Sequence, residues 1–184
     1  MRLIAWLEEE DRKQNPLVEV FQSYSALPLS GVSAGVSSAH LLSGLYKNRG
    51  GHLHSMDLPV IHRSEKREKG QSSWTIPHNL KSGWAVPEFL IKNWDLVLGS
   101  SEQLLPKLLR RIDAVDFFVH DSPHSAEHLA FELKKIKRKL HSGSLVVADN
   151  TGWPSKPFEK FASSVGARVY YRRQSSLAAL RIPA

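Results

Sequence analysis

The sequence predicts a doubly wound α/β fold: a mostly parallel sheet with an antiparallel strand near its C-terminal end. Three observations predict it. From His52 onward, short apolar segments alternate with segments whose leucines recur at helical spacing, the signature of strands joined by crossover helices. Several strand candidates, such as LVVA at 145–148, are continuous apolar runs, which suits strands covered on both faces. The last two strand candidates, 168–171 and 177–182, are joined by a turn around 173–175. That is too tight for a crossover helix, so at least one of them runs antiparallel.

Taken in order, residues 39–46 form a helix after a glycine-containing loop, and 52–58 form a strand ending at Asp57. Residues 59–82 are polar, charged and without periodicity, as in a loop or lid. A helical turn at 87–92 precedes a strand at 94–98, closed by Gly99. Ser101 caps a helix carrying Leu104, Leu105, Leu108 and Leu109. A strand at 115–119 leads to a helix at 125–140, with Leu129, Leu133, Ile136 and Leu140 on one face, lysines on the other and Ser142-Gly143 at its end. The strand at 145–148 and a helix through Phe158, Phe161 and Ala162 complete the alternation. The first 26 residues are poorly defined and leave the N-terminal side short. Residues 17–21 have strand character, whereas Pro28, in LPL just before the glycines, disfavours a central strand. The 184 residues suit one domain, 1–184, with a sizeable core.

The chain has 25 basic and 18 acidic residues, a formal net charge of +7. The basic residues gather at 62–69, 134–139 and 170–173. These are read as solvated faces; an anionic partner is compatible with them, but no nucleic-acid recognition motif accompanies the charge. The absence of cysteine excludes disulfides and thiolate chemistry. No apolar run reaches the ~18 residues of a membrane span, the start is a poor signal peptide, and a cytoplasmic protein is expected.

The candidate site assembles from loops that follow strands. SGVSAGVSS at 30–38 places Gly31 and Gly35 where the backbone turns and approaches a ligand, and Ser37 and Ser38 can cap the next helix. The spacing lacks the third glycine of the dinucleotide fingerprint and the lysine of a P-loop. Asp57, 22 residues beyond Gly35 at the end of the next strand, is placed to receive two ribose hydroxyls, as carboxylates there do in doubly wound folds. Loop, helix and acid together argue for a nucleoside-bearing cofactor. The same rule brings Gly99, Ser100, Ser101, the HDSPH segment at 120–124, Asp149 and Asn150 to one crevice. Asp121, Asp149 and Asn150 offer hard oxygen donors suited to Mg²⁺ or a similar cation. His120 and His124 are candidate general bases, with a buried structural role for His120 and a helix start for His124 as the alternatives.

Five phrases, GVSAGVSS (31–38), SMDLP (55–59), DLVLGS (95–100), FVHDS (118–122) with His124, and LVVAD (145–149), resemble the class I S-adenosylmethionine-dependent methyltransferases, small-molecule group, over 29–184. The resemblance implies a Rossmann-like fold and S-adenosyl-L-methionine held by Gly31, Ser33, Gly35, Ser37 and Ser38. Asp57 would lie on its ribose, Gly99, Ser100 and Ser101 near its adenine, and Asp121 near the methyl-donor end. The set Asp121, Asp149 and Asn150 is also similar to the metal ligands of cation-dependent O-methyltransferases, in which Mg²⁺ lowers the pKa of an acceptor hydroxyl. Methyl transfer to a small-molecule acceptor follows, with the acceptor atom and homo-oligomerisation left open. One departure stands out: the family's acid just ahead of the first loop glycine falls near Leu29, and LPLS has none. Two alternatives therefore remain. One is a degenerate methyltransferase-like binding module. The other is a metal-dependent hydrolase or oxygenase built on HDSPH and Asp149.

Overall fold

The computed structural model describes residues 25–59, 76, 79–153, 156–172 and 176–184. The strand expected at 17–21, the body of the loop or lid at 59–82 and the basic cluster at 62–69 lie outside them. Seven strands form one sheet: β1 (Ala26–Ser30), β2 (His52–Asp57), β3 (Trp94–Leu98), β4 (Val115–His120), β5 (Leu140–Ala148), β6 (Val169–Tyr171) and β7 (Ala178–Arg181), in the order β3-β2-β1-β4-β5-β7-β6. Strands β1 to β5 pair in parallel, and β7 runs antiparallel to both β5 and β6. The order reverses direction at β1, so the loops after β1 and β4 face each other across a crevice.

Helix α1 (Val36–Lys47) covers one face of the sheet; α2 (Ser101–Leu109), α3 (Ala126–Ile136) and α4 (Pro157–Ser164) cover the other. Leu27, Leu29, Leu53, Phe117 and Val119 pack with Leu41, Leu42 and Leu45 of α1. Met56, Phe118, Val146 and Leu180 pack with Leu105, Leu129, Leu133, Phe158 and Phe161 on the opposite face. Every residue of β4 is buried, as its apolar run implied. Its pairing with β5 slips between Val115 and Phe117, which is how two residues of the same parity come to lie in different cores.

Three local expectations change. The helix expected at 125–140 ends at Ile136; a 3-10 turn, Lys137–Lys139, leads directly into β5, so Leu140, Ser142 and Gly143 belong to a strand. Leu140 continues the apolar spacing of α3, which hid the boundary. Helix α1 starts three residues earlier than expected: Gly35 is the N-cap, and Ser38 lies inside the first turn with its hydroxyl buried and without a hydrogen-bond partner. The third is Pro28, which sits in a central strand. Gly31 N donates to Met56 O on β2, while Ser30 O accepts from Asp121 N beyond β4. By alternation the Pro28 nitrogen faces β4, whose ladder with β1 begins only at Leu29, so no ladder bond is lost. Below that point the Asp116 carboxylate replaces the ladder, accepting from Ser25 N, Ser25 Oγ and Ala26 N at 2.8–2.9 Å.

Candidate active site

Glycine at 31 and 35 is required by the protein's own packing. Gly31 has φ +84°, and a Cβ there would lie 1.8 Å from the Asp121 carbonyl oxygen. Gly35 has φ +92°, and its Cβ would meet the Gly83 Cα at 2.7 Å. The loop after β1 is thus clamped between the tip of β4 and the segment before the 3-10 helix Glu88–Asn93, where Gly83 N and Ala85 N donate to Ser33 O and Ala34 O. That segment holds up the glycine loop, with Trp84 left exposed, as is Phe89 in the 3-10 helix.

Asp57 ends β2 and ties into the same loop: its Oδ2 accepts from Ser33 N and its Oδ1 from Leu58 N, both at 3.0 Å. Its carbonyl accepts from Gly99 N at 2.7 Å, fixing the loop after β3. Ser33 has φ +51°, so its amide is turned toward the carboxylate by a left-handed backbone. Asp121 and Asp149 follow β4 and β5, whose tips are joined by Asp149 N donating to His120 O at 3.0 Å. Asn150 is held beside Asp149: its amide donates to Asp149 Oδ1 at 2.8 Å, and the Ser176 hydroxyl reaches Asp149 Oδ1 and Asn150 Oδ1 at 2.9 and 3.0 Å. Asp121 is exposed toward the crevice, yet surrounding protein, then the charges of Asp149 and Asp57, push its carboxyl up to about 7. The charges of Asp149 and Asp57 thus reach Asp121 across one crevice and disfavour its ionisation.

The other predicted residues divide. Ser37 is exposed at the start of α1. Ser100, not Ser101, caps α2, its hydroxyl accepting from Glu102 N. Ser101 is buried with its hydroxyl 2.8 Å from His128 Nε2. His120 is 1% exposed, with Nδ1 2.7 Å from Glu132 Oε2. It is a buried partner of α3 and is turned away from the crevice surface that a general base needs. His124 is exposed, and burial of its ring together with the His120 charge holds its pKa below the ordinary value against the pull of Asp149. HDSPH and Asp149 do not form a ligand set: among the described residues, the group of three or more His and carboxylate side chains with donors within 4.8 Å is His52, His54 and Asp95.

Sequence reasoning missed Glu132. It is fully buried on α3 and receives Ser30 Oγ at 2.8 Å and Ser122 Oγ at 3.1 Å, besides His120 and, at 3.0 Å, His128 Nε2. Burial alone would raise its pKa. Hydrogen bonds from His120 and His128, the His120 charge and Ser101 hold the carboxyl well below the usual range. The signal was present in the sequence, because Glu132 lies on the same helical stripe as Leu129, Leu133 and Ile136.

A family model described as a methyltransferase domain matches residues 30–151, from the end of β1 to just past Asn150. The chain belongs to the methyltransferase-domain family. Solved methyltransferases share its architecture. CalS11, a calicheamicin methyltransferase, superposes with a TM-score of 0.65 at 16% identity, covering 97% of this chain and 79% of that one. MycE, from the mycinamycin pathway and determined with Mg, SAH and mycinamycin VI, gives 0.61 at 11% identity over 96% of this chain and 49% of its own. The O-methyltransferase NovP gives 0.59 at 14% identity, covering 91% and 79%. At these identities the likeness is one of fold, and it establishes the Rossmann-like methyltransferase architecture. Among curated proteins, no sequence matches this methyltransferase-family chain. No helix among its described residues is long and apolar enough to cross a membrane.

Proposed function

We propose that residues 1–184 act as one methyltransferase domain, transferring a methyl group from S-adenosyl-L-methionine to a hydroxyl oxygen of a small-molecule acceptor. The observation that carries this reading is Asp57: a carboxylate at the tip of β2, hydrogen-bonded back to the glycine loop, where a ribose diol would be received. Gly31 to Ser38 and Gly99 would line the cofactor, Gly99 being held by the Asp57 carbonyl. The cofactor supplies an electrophilic methyl group, which the protein need only orient.

Asp121, Asp149 and Asn150 fit a divalent cation by their chemistry: two carboxylates and an amide carbonyl at the joined tips of β4 and β5, with a charge repulsion that raises Asp121. Such a cation would supply electrostatic stabilisation and acidify a hydroxyl held beside it. His124, exposed near Asp149 and with a lowered pKa, would take the acceptor's proton. His120 serves as a positioning residue through Glu132.

Calorimetric titration with S-adenosylhomocysteine, with and without Mg²⁺, tests the proposal. We expect saturable binding that Asp57→Ala abolishes. Unchanged binding in that variant would remove the ribose assignment. A second reading, a methyltransferase fold that binds without catalysis, is favoured by Leu29: the position of the family's acid holds a leucine that is 0% exposed. Absence of cofactor binding together with salt-sensitive binding of RNA or DNA would decide for it.

A further inference from the structure

At the amino ends of β2 and β3, away from the crevice, two histidines and an aspartate meet. His52 and His54 are two residues apart on β2, so both rings project from the same face of the sheet. Asp95 on β3 pairs in register with His54. Asp95 Oδ2 lies 3.0 Å from His52 Nε2 and 3.4 Å from His54 Nδ1, and all three donor atoms lie within 4.8 Å of one another. Asp57 lies three positions beyond His54 on β2, a distance of about 10 Å along the strand. The group is therefore distinct from the proposed cofactor site.

An ordinary ion pair does not account for this arrangement. The His52 Nε2 atom is enclosed and, despite its 3.0 Å approach to Asp95, is out of line for a hydrogen bond, so it has no hydrogen-bond partner. Two donors bound to one tetrahedral Zn²⁺ at about 2.0–2.1 Å lie about 3.3 Å apart. The separations of 3.0 and 3.4 Å bracket that edge. An ion between the rings and the carboxylate would engage the enclosed nitrogen directly, and the half-exposed Asp95 side leaves a coordination position for water.

We infer that His52, His54 and Asp95 form a binding site for a borderline divalent transition-metal ion of the Zn²⁺ class, separate from the methyl-transfer crevice. Two imidazoles with one carboxylate suit such an ion better than Mg²⁺ or Ca²⁺, which prefer oxygen alone. The neighbours also bear on the neutral rings that binding requires. Burial, the His52 ring and Arg111 together keep His54 below the ordinary histidine pKa despite Asp95. Arg111 is also the nearby positive charge that the ion must tolerate. The ion would clamp β3, an outer strand of the sheet, to β2.

The test uses the full chain after treatment with a chelator. Zn²⁺ is titrated against a chromophoric competitor, and Co²⁺ is added separately to read coordination from its visible bands. We expect one equivalent of Zn²⁺, four-coordinate Co²⁺ bands and a raised thermal midpoint. Asp95→Asn and His54→Gln should each lose that equivalent, whereas Asp121→Asn with Asp149→Asn should keep it. The inference is overturned if the wild type takes up no equivalent or gives no four-coordinate Co²⁺ spectrum. It is equally overturned if the Asp95 and His54 variants bind as the wild type does, or if only the crevice variants lose the ion. The Co²⁺ spectrum of the wild type keeps the test decisive even if a variant fails to fold. None of these readouts depends on methyl transfer.

Discussion

At Gly31 the chain leaves β1 in a left-handed conformation, in contact with the backbone that follows β4. Alanine there would suffer twice, from an unfavourable positive φ and from a Cβ 1.8 Å from the Asp121 carbonyl oxygen. Neither obstacle can rotate aside, because both are backbone. Gly31→Ala should therefore cost more than about 2 kcal/mol of stability, read as a lowered midpoint in urea unfolding; an unchanged midpoint would contradict the packing described here. A glycine pattern in a sequence shows that the backbone needs freedom. Whether a ligand or another strand makes the demand is visible only in three dimensions, and here the strand and the Gly83 segment both make it.

Among the elements, α3 joins the two halves of the crevice. Its buried face carries Leu129, Leu133 and Ile136, and among them Glu132 holds Ser30 at the end of β1, His120 at the end of β4 with Ser122 just beyond it, and His128 one turn earlier on its own helix. A buried carboxylate survives because each oxygen is paired. Glu132→Ala would leave two imidazoles and two hydroxyls short of an acceptor, and we expect a loss of about 3 kcal/mol or more in chemical denaturation. Helix α3 also shows where periodicity stops being informative. Leu140 stands in phase with Ile136, so the spacing alone extends the helix, whereas the sheet claims Leu140 by pairing it with Val115. Lys137 and Lys139, read as part of a solvated basic face, donate to Ser164 O and Ile112 O and so close the helix end onto its neighbours.

At the scale of the whole molecule, the tips of β2, β4 and β5 bring Asp57, Asp121 and Asp149 together. Asp121 is consequently held up to about 7 in the folded chain, against an ordinary aspartate value of 3.8. Between those values the native state keeps a proton that the unfolded chain has released. The contribution of Asp121 to stability is thus fully present below the unfolded value and lost as pH rises toward 7. Asp121→Asn removes the titration, so the variant should gain stability relative to wild type on going from about pH 5 to about pH 8. Urea midpoints at the two pH values check this, and a constant difference would count against the repulsion. Glu132 has the opposite sign: its lowered pKa contributes stability above the ordinary glutamate range, which is lost as the medium is acidified.

The sequence by itself determined the architecture: apolar strands alternating with amphipathic helices, the closing antiparallel pair, and acids at the strand ends. These are local patterns, and each element carries its own period of 2 or 3.6 residues. The tertiary structure alone decided what depends on partners distant in the chain. It admitted Pro28 to a central strand, because the Asp116 carboxylate stands in for the missing ladder. It drew His120 to a buried glutamate and away from the crevice. And it brought His52 and His54 against Asp95, more than forty residues away, through the parallel register of β2 and β3. Side-chain periodicity encodes which face a residue takes; only strand order and register determine what it meets there.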